Sequence, residues 1–525
     1  MKSTKTMLLL TFAASFLFAQ LRYHIARSQE NNGTSANAIA VASDAKPVEY
    51  DRMLFGQFVE HFHRQVYGGI FDPGSKLSDS AGYRMDVIKA LRELKMPIVR
   101  WPGGCFASAY HWLDGVGPNR IPSYDKAWKV EEPNTFGTDE FVQWCRKIGA
   151  EPYICTNAGT GTAEEMSDWV EYCNLNIGRY GRMRQNNGHP DPYNVMYWSV
   201  GNENWGGHEI GAKTVAEWGS LVREASKMMR AVTPGLKLLA AALSDKNWTL
   251  PLLKQAGYLL DYVSIHGYWD GLWVVNTPSC YLDCMMRTGQ PEEMIAQTTH
   301  ILDESGFRGK VKIAFDEWNL RGWHHPDLGN LRKPMDIAAR DKNDINSTYT
   351  LADALFSACF LNTCLRHADD VKIACFAPAV NARGILYVHP GGMVKRTTFH
   401  VFNMYSNLLE KYVMPVRVTS DSLRYANQST PALDVVLTCN KAKTRYVYAI
   451  INKDPGKSLW FDPGFRALKV NAPREITTTI LSGMSEDDYN DVDVPDRVVP
   501  VQSVMKIKNG KISIPAHSLV MFSIE

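Results

Sequence analysis

Between residues 54 and 380 the chain repeats one pattern eight times: a short apolar run, then a longer segment with helical spacing. The runs are residues 54–58, 98–101, 151–156, 195–201, 237–242, 262–266, 312–316 and 371–376. Short apolar runs bounded by turn residues read as strands buried on both faces, and segments such as 81–94, 214–232 and 349–366 read as the helices between them. Such alternation calls for a parallel sheet covered by helices. Eight units allow that sheet to close, so the expected α/β fold is an eight-stranded β/α (TIM) barrel. An open doubly wound sheet alternates in the same way, but no glycine-rich phosphate loop follows the first run.

After residue 409 the pattern changes to short strands separated by turns, at 432–439, 445–451, 474–481 and 518–524, with no long helix between them. A C-terminal β-sandwich is predicted there. At 525 residues the chain exceeds what one core usually organises, which fits a large barrel beside a smaller domain. The expected division is a signal segment at 1–19, a linker at 20–44 in which 38–43 can add a strand to the sandwich, the barrel at 45–408 and the sandwich at 409–525. Lys2 and Lys5 precede an apolar run ending at Ala19, the charge order of a secretory signal, with an uncleaved anchor as the alternative. An extracytoplasmic, secreted body follows from that reading, with no membrane association once the signal is removed. Sequons at Asn32, Asn247, Asn346 and Asn427 suit the compartment.

Basic and acidic residues number 57 and 55, so no net field draws the chain to nucleic acid or an anionic membrane, and a neutral sugar is permitted. Most of the ten cysteines read as core thiols, with Cys280 and Cys284 the best candidates for a local bridge. No zinc-type spacing appears, and His61, His63, His324 and His325 read as surface or site-lining residues, so neither metal nor cofactor is expected.

Two carboxylates follow apolar runs directly: Glu203 after VMYWSVGN and Glu317 after KIAFD. One acidic residue ending a strand is often merely exposed, but two, on runs four and seven and both near tryptophan, point to the face where barrel enzymes do chemistry. A carboxyl pair across a sugar can cleave a glycosidic bond, one member giving a proton to the leaving oxygen and the other attacking the anomeric carbon or activating water. Trp205, Trp269, Trp318 and Trp323 are placed to offer stacking faces around the barrel mouth.

The segments FGQFVEHFHRQVYGGI (55–70), VRWPGGCFASAYHWLDGVGP (99–118), GTDEFVQWC (137–145), GNE (201–203) and FDEWN (315–319) together resemble glycoside hydrolase family 51, the α-L-arabinofuranosidases. The resemblance runs from about residue 38 to the C-terminus. It implies a barrel with a C-terminal β-sandwich and a double displacement that retains anomeric configuration. Terminal α-L-arabinofuranosyl groups of polysaccharides or oligosaccharides are the implied substrate. By motif matching, Glu203 is the acid/base, Glu317 the nucleophile, and Asn202 the residue that holds the sugar 2-hydroxyl. Glu60, Arg100, Cys105, His266, Tyr268 and Trp318 are implied as substrate or nucleophile positioners. A retaining pair stands roughly 5–5.5 Å apart, and Glu317 at that distance is expected to raise the pKa of Glu203.

Two departures concern the glycone. Cys105 stands where many members carry Asn in PGGN, and Pro378 falls where a sugar-binding Gln is found. A related glycone such as galactofuranose, an endo-β-glucanase activity and a non-catalytic sugar-binding protein are the alternatives. Relatives that assemble into oligomers make a homo-oligomer a further expectation.

Overall fold

The computed structural model describes residues 37–42, 46–275, 277–323 and 342–525. The signal segment, most of the linker, Asn32, His324 and His325 lie outside the described residues. Eight parallel strands close a barrel in chain order: Gly56–Phe58, Ile98–Trp101, Glu151–Thr156, Tyr197–Val200, Lys237–Ala241, Tyr262–Asp270, Lys312–Arg321 and Val371–Phe376. The eighth returns to the first by pairing Cys375 with Gly56 and Phe376 with Gln57. The first strand starts later than its apolar run, because the Asp51 carboxylate accepts from the Met53 amide at 3.0 Å and turns Arg52–Phe55 into a 3-10 helix.

Local capping sets the helix starts. Thr214 and Glu217 close a capping box ahead of Val215–Val232, and Thr350 and Asp353 do so ahead of Leu351–Arg366. The segment expected to be helical from 81 begins only at Met85, since Asp79 ties the amides of Ala81 and Tyr83 into a turn. Leu351–Arg366 is buried from Leu351 through Leu365. A helix without a wet face must be covered on every side. The barrel covers one side, and the C-terminal sheet covers the other, where Asn362 and Arg366 each donate to Asp434 at 2.8 Å.

That sheet has seven antiparallel strands, ordered Val48–Glu49, Tyr412–Val413, Leu433–Cys439, Tyr446–Asn452, Ser518–Ile524, Glu475–Ser482 and Val501–Lys506. The opposing layer joins Ala38–Val41 to Val416–Thr419 and Leu459–Phe461 to Ile512–Ile514. Residues 48–49 therefore pair in the sandwich although the sequence reading places them with the barrel. Cys280 and Cys284 are not bridged: they flank one turn of the short helix Tyr281–Met286, Cys280 exposed beside Asp283 and Cys284 buried against the Ser279 carbonyl. Asn247 and Asn427 are exposed, whereas Asn346 is buried between Arg396 and Asp491, which corrects its reading as an accessible sequon. Among the described residues no helix is long and apolar enough to cross a membrane.

Strand alternation decides which residues enter the barrel mouth. On strand six His266 and Tyr268 turn inward, so Trp269 turns outward onto Phe356 and Phe360. On strand seven Glu317 turns inward, and Trp318 stacks on Phe360 with ring centroids 3.6 Å apart and no exposure. Trp269 and Trp318 thus belong to the layer between barrel and helices and do not line the sugar site, contrary to the sequence expectation. Trp318→Ala should cost about 3–5 kcal/mol of stability, as loss of a buried tryptophan does. A denaturant melt unchanged from the parent would contradict this packing.

Candidate active site

The site is built at the C-terminal ends of the strands around one guanidinium. Arg100, on strand two, is fully buried. Its Nη1 donates to Glu317 Oε2 at 2.6 Å, its Nη2 to Asn202 Oδ1 at 2.7 Å, and its Nε lies 3.3 Å from Asp316 Oδ2. Asp316 and Glu317 are consecutive yet both face inward, because the register with strand eight slips between Phe315 and Trp318. A β-bulge of this kind re-aims side chains. Asp316 also accepts from Tyr153 Oη at 2.6 Å and Ser264 Oγ at 2.5 Å. The other oxygen of Glu317 accepts from Tyr268 Oη at 2.7 Å, and Tyr268 in turn accepts from Arg383 Nη2 at 2.9 Å.

Glu203 stands three residues beyond strand four in a left-handed turn, φ 44°, locked by the Gly206 amide on its carbonyl at 2.7 Å. A non-glycine residue in that region is strained, and such strain gathers at functional sites. Its carboxyl meets two imidazoles: His266 Nδ1 at 2.7 Å on Oε1 and His208 Nε2 at 2.8 Å on Oε2. His266 Nδ1 is also 3.7 Å from Glu317 Oε2, and Glu203, Glu317 and His266 each place a polar atom within 4.8 Å of the others.

These neighbours set the protonation states. Burial opposes charge on Glu203, but the hydrogen bonds from His208 and His266 outweigh it and hold the carboxyl well below its ordinary value. The expectation of a raised Glu203 is corrected: burial raises it, and the two imidazoles lower it by more. Glu60, after strand one, is pushed up to about 8 by burial and then by Glu317, against hydrogen bonds from the Phe106 amide at 3.1 Å and Trp128 Nε1 at 3.0 Å. Burial and then Glu209, Glu60 and Glu203 lift the Cys105 thiol far above its usual range, so it stays a neutral donor to Glu209. The atoms of Cys105, His208 and Glu209 lie within 4.8 Å of one another, with Cys105 directed at Glu209 and the His208 imidazole engaged with Glu203.

The two glycines before Cys105 are dictated by close approach. A Cβ on Gly103 would lie 2.4 Å from Glu60 Cγ, and one on Gly104 would lie 3.1 Å from Glu317 Oε2. Glu60, Arg100, Cys105, Asn202, Glu203, His266, Tyr268 and Glu317 therefore gather at one mouth, and Trp318 does not. Trp323 packs on Phe62 at the rim, 4.7 Å between centroids, and Trp205 lies beside His208. Asp316, Tyr153, His208, Glu209 and Arg383 complete the site without having been singled out in the sequence. Asp316 alone carried a signal, as the neighbour of Glu317.

Comparison with known proteins agrees with this geometry. A family model described as the α-L-arabinofuranosidase 1 domain matches residues 90–287, and one described as the α-L-arabinofuranosidase C-terminal domain matches 316–518. The α-L-arabinofuranosidase C of Emericella nidulans is 34% identical over 434 residues, covering 77% of this chain and 82% of that protein. This chain is a member of the family 51 α-L-arabinofuranosidases. An intracellular exo-α-(1→5)-L-arabinofuranosidase of Halalkalibacterium halodurans is likewise 34% identical, over 81% of this chain and 86% of that one. The structure of α-L-arabinofuranosidase from Thermotoga maritima, an arabinose complex, superposes with a TM-score of 0.82 at 30% identity, covering 93% of this chain and all of that one. The bifunctional glucanase-xylanase CelM2, at 11% identity and a TM-score of 0.58, shares the fold alone.

Glu60 yields a pH-dependent prediction. The folded protein keeps this proton up to about pH 8, whereas an unfolded glutamate gives it up near its ordinary 4.5. The unfolded state then binds fewer protons between those values, so Glu60 lowers stability progressively as pH rises through that window. Glu60→Gln should flatten the fall in Tm between about pH 5.5 and pH 8, by the equivalent of an unfolding free energy on the order of a few kcal/mol. A Tm profile parallel to the parent's would show that Glu60 is ionised across the range.

Proposed function

We propose that this arabinofuranosidase releases terminal non-reducing α-L-arabinofuranosyl groups by double displacement, with Glu317 as nucleophile and Glu203 as acid/base. The observation that carries the reading is the short span between the two carboxylates, whose oxygens fall within 4.8 Å around His266. Retaining glycosidases hold the pair roughly 5–5.5 Å apart, and inverting ones leave about 6.5–9.5 Å for a water. Arg100 and Tyr268 both donate to Glu317, which holds it in one orientation as the nucleophile. As it attacks the anomeric carbon, Glu203 gives a proton to the departing oxygen. Water then attacks the glycosyl-enzyme while Glu203 takes a proton back. Asn202, held by Arg100, faces the position of the sugar 2-hydroxyl, a contact that strengthens in an oxocarbenium-like transition state.

Arabinofuranose-bearing polysaccharides or oligosaccharides are the substrate class this reading takes. Arg383, reaching Tyr268 from the loop after strand eight, supplies a hydrogen-bond donor near the place where Pro378 cannot. Export is part of the proposal. It is supported by Lys2, Lys5 and the apolar run before Ala19, and by the exposed sequons at Asn247 and Asn427 as glycan sites, although the Halalkalibacterium halodurans relative is named intracellular.

Glu317→Ala should abolish turnover of aryl and alkyl arabinofuranosides alike. Glu203→Ala should spare aryl substrates with good leaving groups and lose alkyl ones by roughly a hundredfold or more, since only the latter need the proton. Proton NMR of the sugar released from aryl α-L-arabinofuranoside should show the α anomer first. Release of the β anomer, or equal loss of both substrate types in Glu203→Ala, would overturn the assignment. Turnover of only a galactofuranoside or a β-glucan would relocate the glycone.

A further inference from the structure

A glycosidic acid must offer one carboxyl oxygen to the leaving group, and each oxygen of Glu203 faces an imidazole. Oε1 accepts from His266 Nδ1 at 2.7 Å, and Oε2 accepts from His208 Nε2 at 2.8 Å. One imidazole has to yield. His266 is fixed in strand six with its side chain 6% exposed, and its other nitrogen faces Ser264 Oγ at 3.4 Å and Asp316 at 3.6 Å. His208 is 53% exposed and follows Gly206 and Gly207, where a side chain on Gly207 would meet open space. Its ring neighbour is Trp205, edge-on at 5.8 Å. His208 is the side that can move.

We propose that His208 is a displaceable partner of the acid: it stores the proton before substrate binds and gives way to the aglycone, leaving that proton on Glu203. This rests on the reading of Glu203 as acid/base. The balance closes over a turnover. When the aglycone separates the pair in a cleft that is losing water, keeping opposite charges apart costs more than moving one proton. The Nε2–H bond of His208 breaks as an O–H bond forms on Glu203 Oε2, so two charges become none. Glu203 passes this proton to the glycosidic oxygen as the C–O bond breaks and Glu317 bonds to the anomeric carbon. In the second half Glu203 removes a proton from the attacking water, and as the sugar leaves it returns one to His208.

The carboxylates facing His208 favour a proton on the pair, while His266 and partial burial oppose it. His208 meets Glu203 at 2.8 Å and Glu209 at 3.9 Å, with Glu317 across the mouth, while Glu203 is also faced by His266, Cys105 and Glu209. The hydrogen bond to Glu203, against partial burial, lifts the His208 imidazole above its ordinary value. This contact favours keeping the stored proton on the ring.

The test compares the pH dependence of kcat/KM for the parent, His208→Gln and His208→Ala on an alkyl and an activated aryl arabinofuranoside. With the alkyl substrate the basic limb should fall by about one pH unit or more in both variants, the scale of a lost charge-assisted hydrogen bond. With the aryl substrate the limb should stay in place. Superimposable alkyl profiles, or a limb that moves upward, would overturn the proposal. A second reading uses the full chain carrying Glu317→Gln and ¹⁵N-histidine. His208 should titrate above its ordinary range both empty and with arabinose, and return to that range with the alkyl arabinofuranoside bound; the same titration in all three states would overturn the displacement. Failure of the acid assignment itself shows separately, as no dependence on leaving group in Glu203→Ala.

Discussion

The Arg100 guanidinium is the fixed point of this structure. A barrel interior is a poor solvent for charge, yet this one holds Asp316 and Glu317 side by side with Glu203 opposite. Removing carboxylates from water is tolerable only when a counter-charge and hydrogen bonds replace it. Arg100 supplies both, reaching Glu317, Asp316 and Asn202 with different atoms of one planar group while Phe58 covers its face, 5.1 Å from the ring centre. A lysine, with a single point of charge, has no comparable fork. Through these contacts Glu317, Asp316 and Asn202 hold one geometry.

The surrounding shell exists to keep that geometry. Ser264 from the adjacent strand six and Tyr153 from strand three across the barrel both donate to Asp316, which Arg100 also faces. Behind strand seven, Trp318, Phe360, Phe376 and Phe402 form a dry aromatic layer between the barrel and two helices. The sandwich closes the far side of Leu351–Arg366, a helix too apolar to face water. The C-terminal domain is thus part of the barrel's support, with Arg321 linking Asp270 on strand six to Asp353 on that helix at 2.5 and 3.1 Å.

Protonation follows from which neighbour is nearest. Glu60 is buried, Glu203 is nearly so, and both lie near Glu317. Glu60 finds only neutral donors, the Phe106 amide and the Trp128 indole, and stays protonated. Glu203 finds two imidazoles and ionises. A mechanism that needs its proton must then weaken one of those contacts when substrate arrives, and the exposed one is His208.

The sequence by itself determined the eight-strand order, the change to short strands after residue 409, and the pair Glu203 and Glu317, because hydrophobic period and strand-end position are local properties written in consecutive residues. The capping residues Thr214 and Thr350 are legible for the same reason. Which way a side chain points was not legible where a bulge resets the alternation. Trp318 therefore read as a sugar platform when it is core, and Asp316 was not singled out beside it. His208, Arg383 and Tyr153 were invisible because nothing in their own neighbourhoods distinguishes them. Arg383 and Tyr153 act on Tyr268 and Asp316 from separate βα segments, and His208 folds back onto Glu203 within the loop after strand four. Only closure of the barrel brings those segments together, and only then do distance and burial decide which carboxyl keeps its proton.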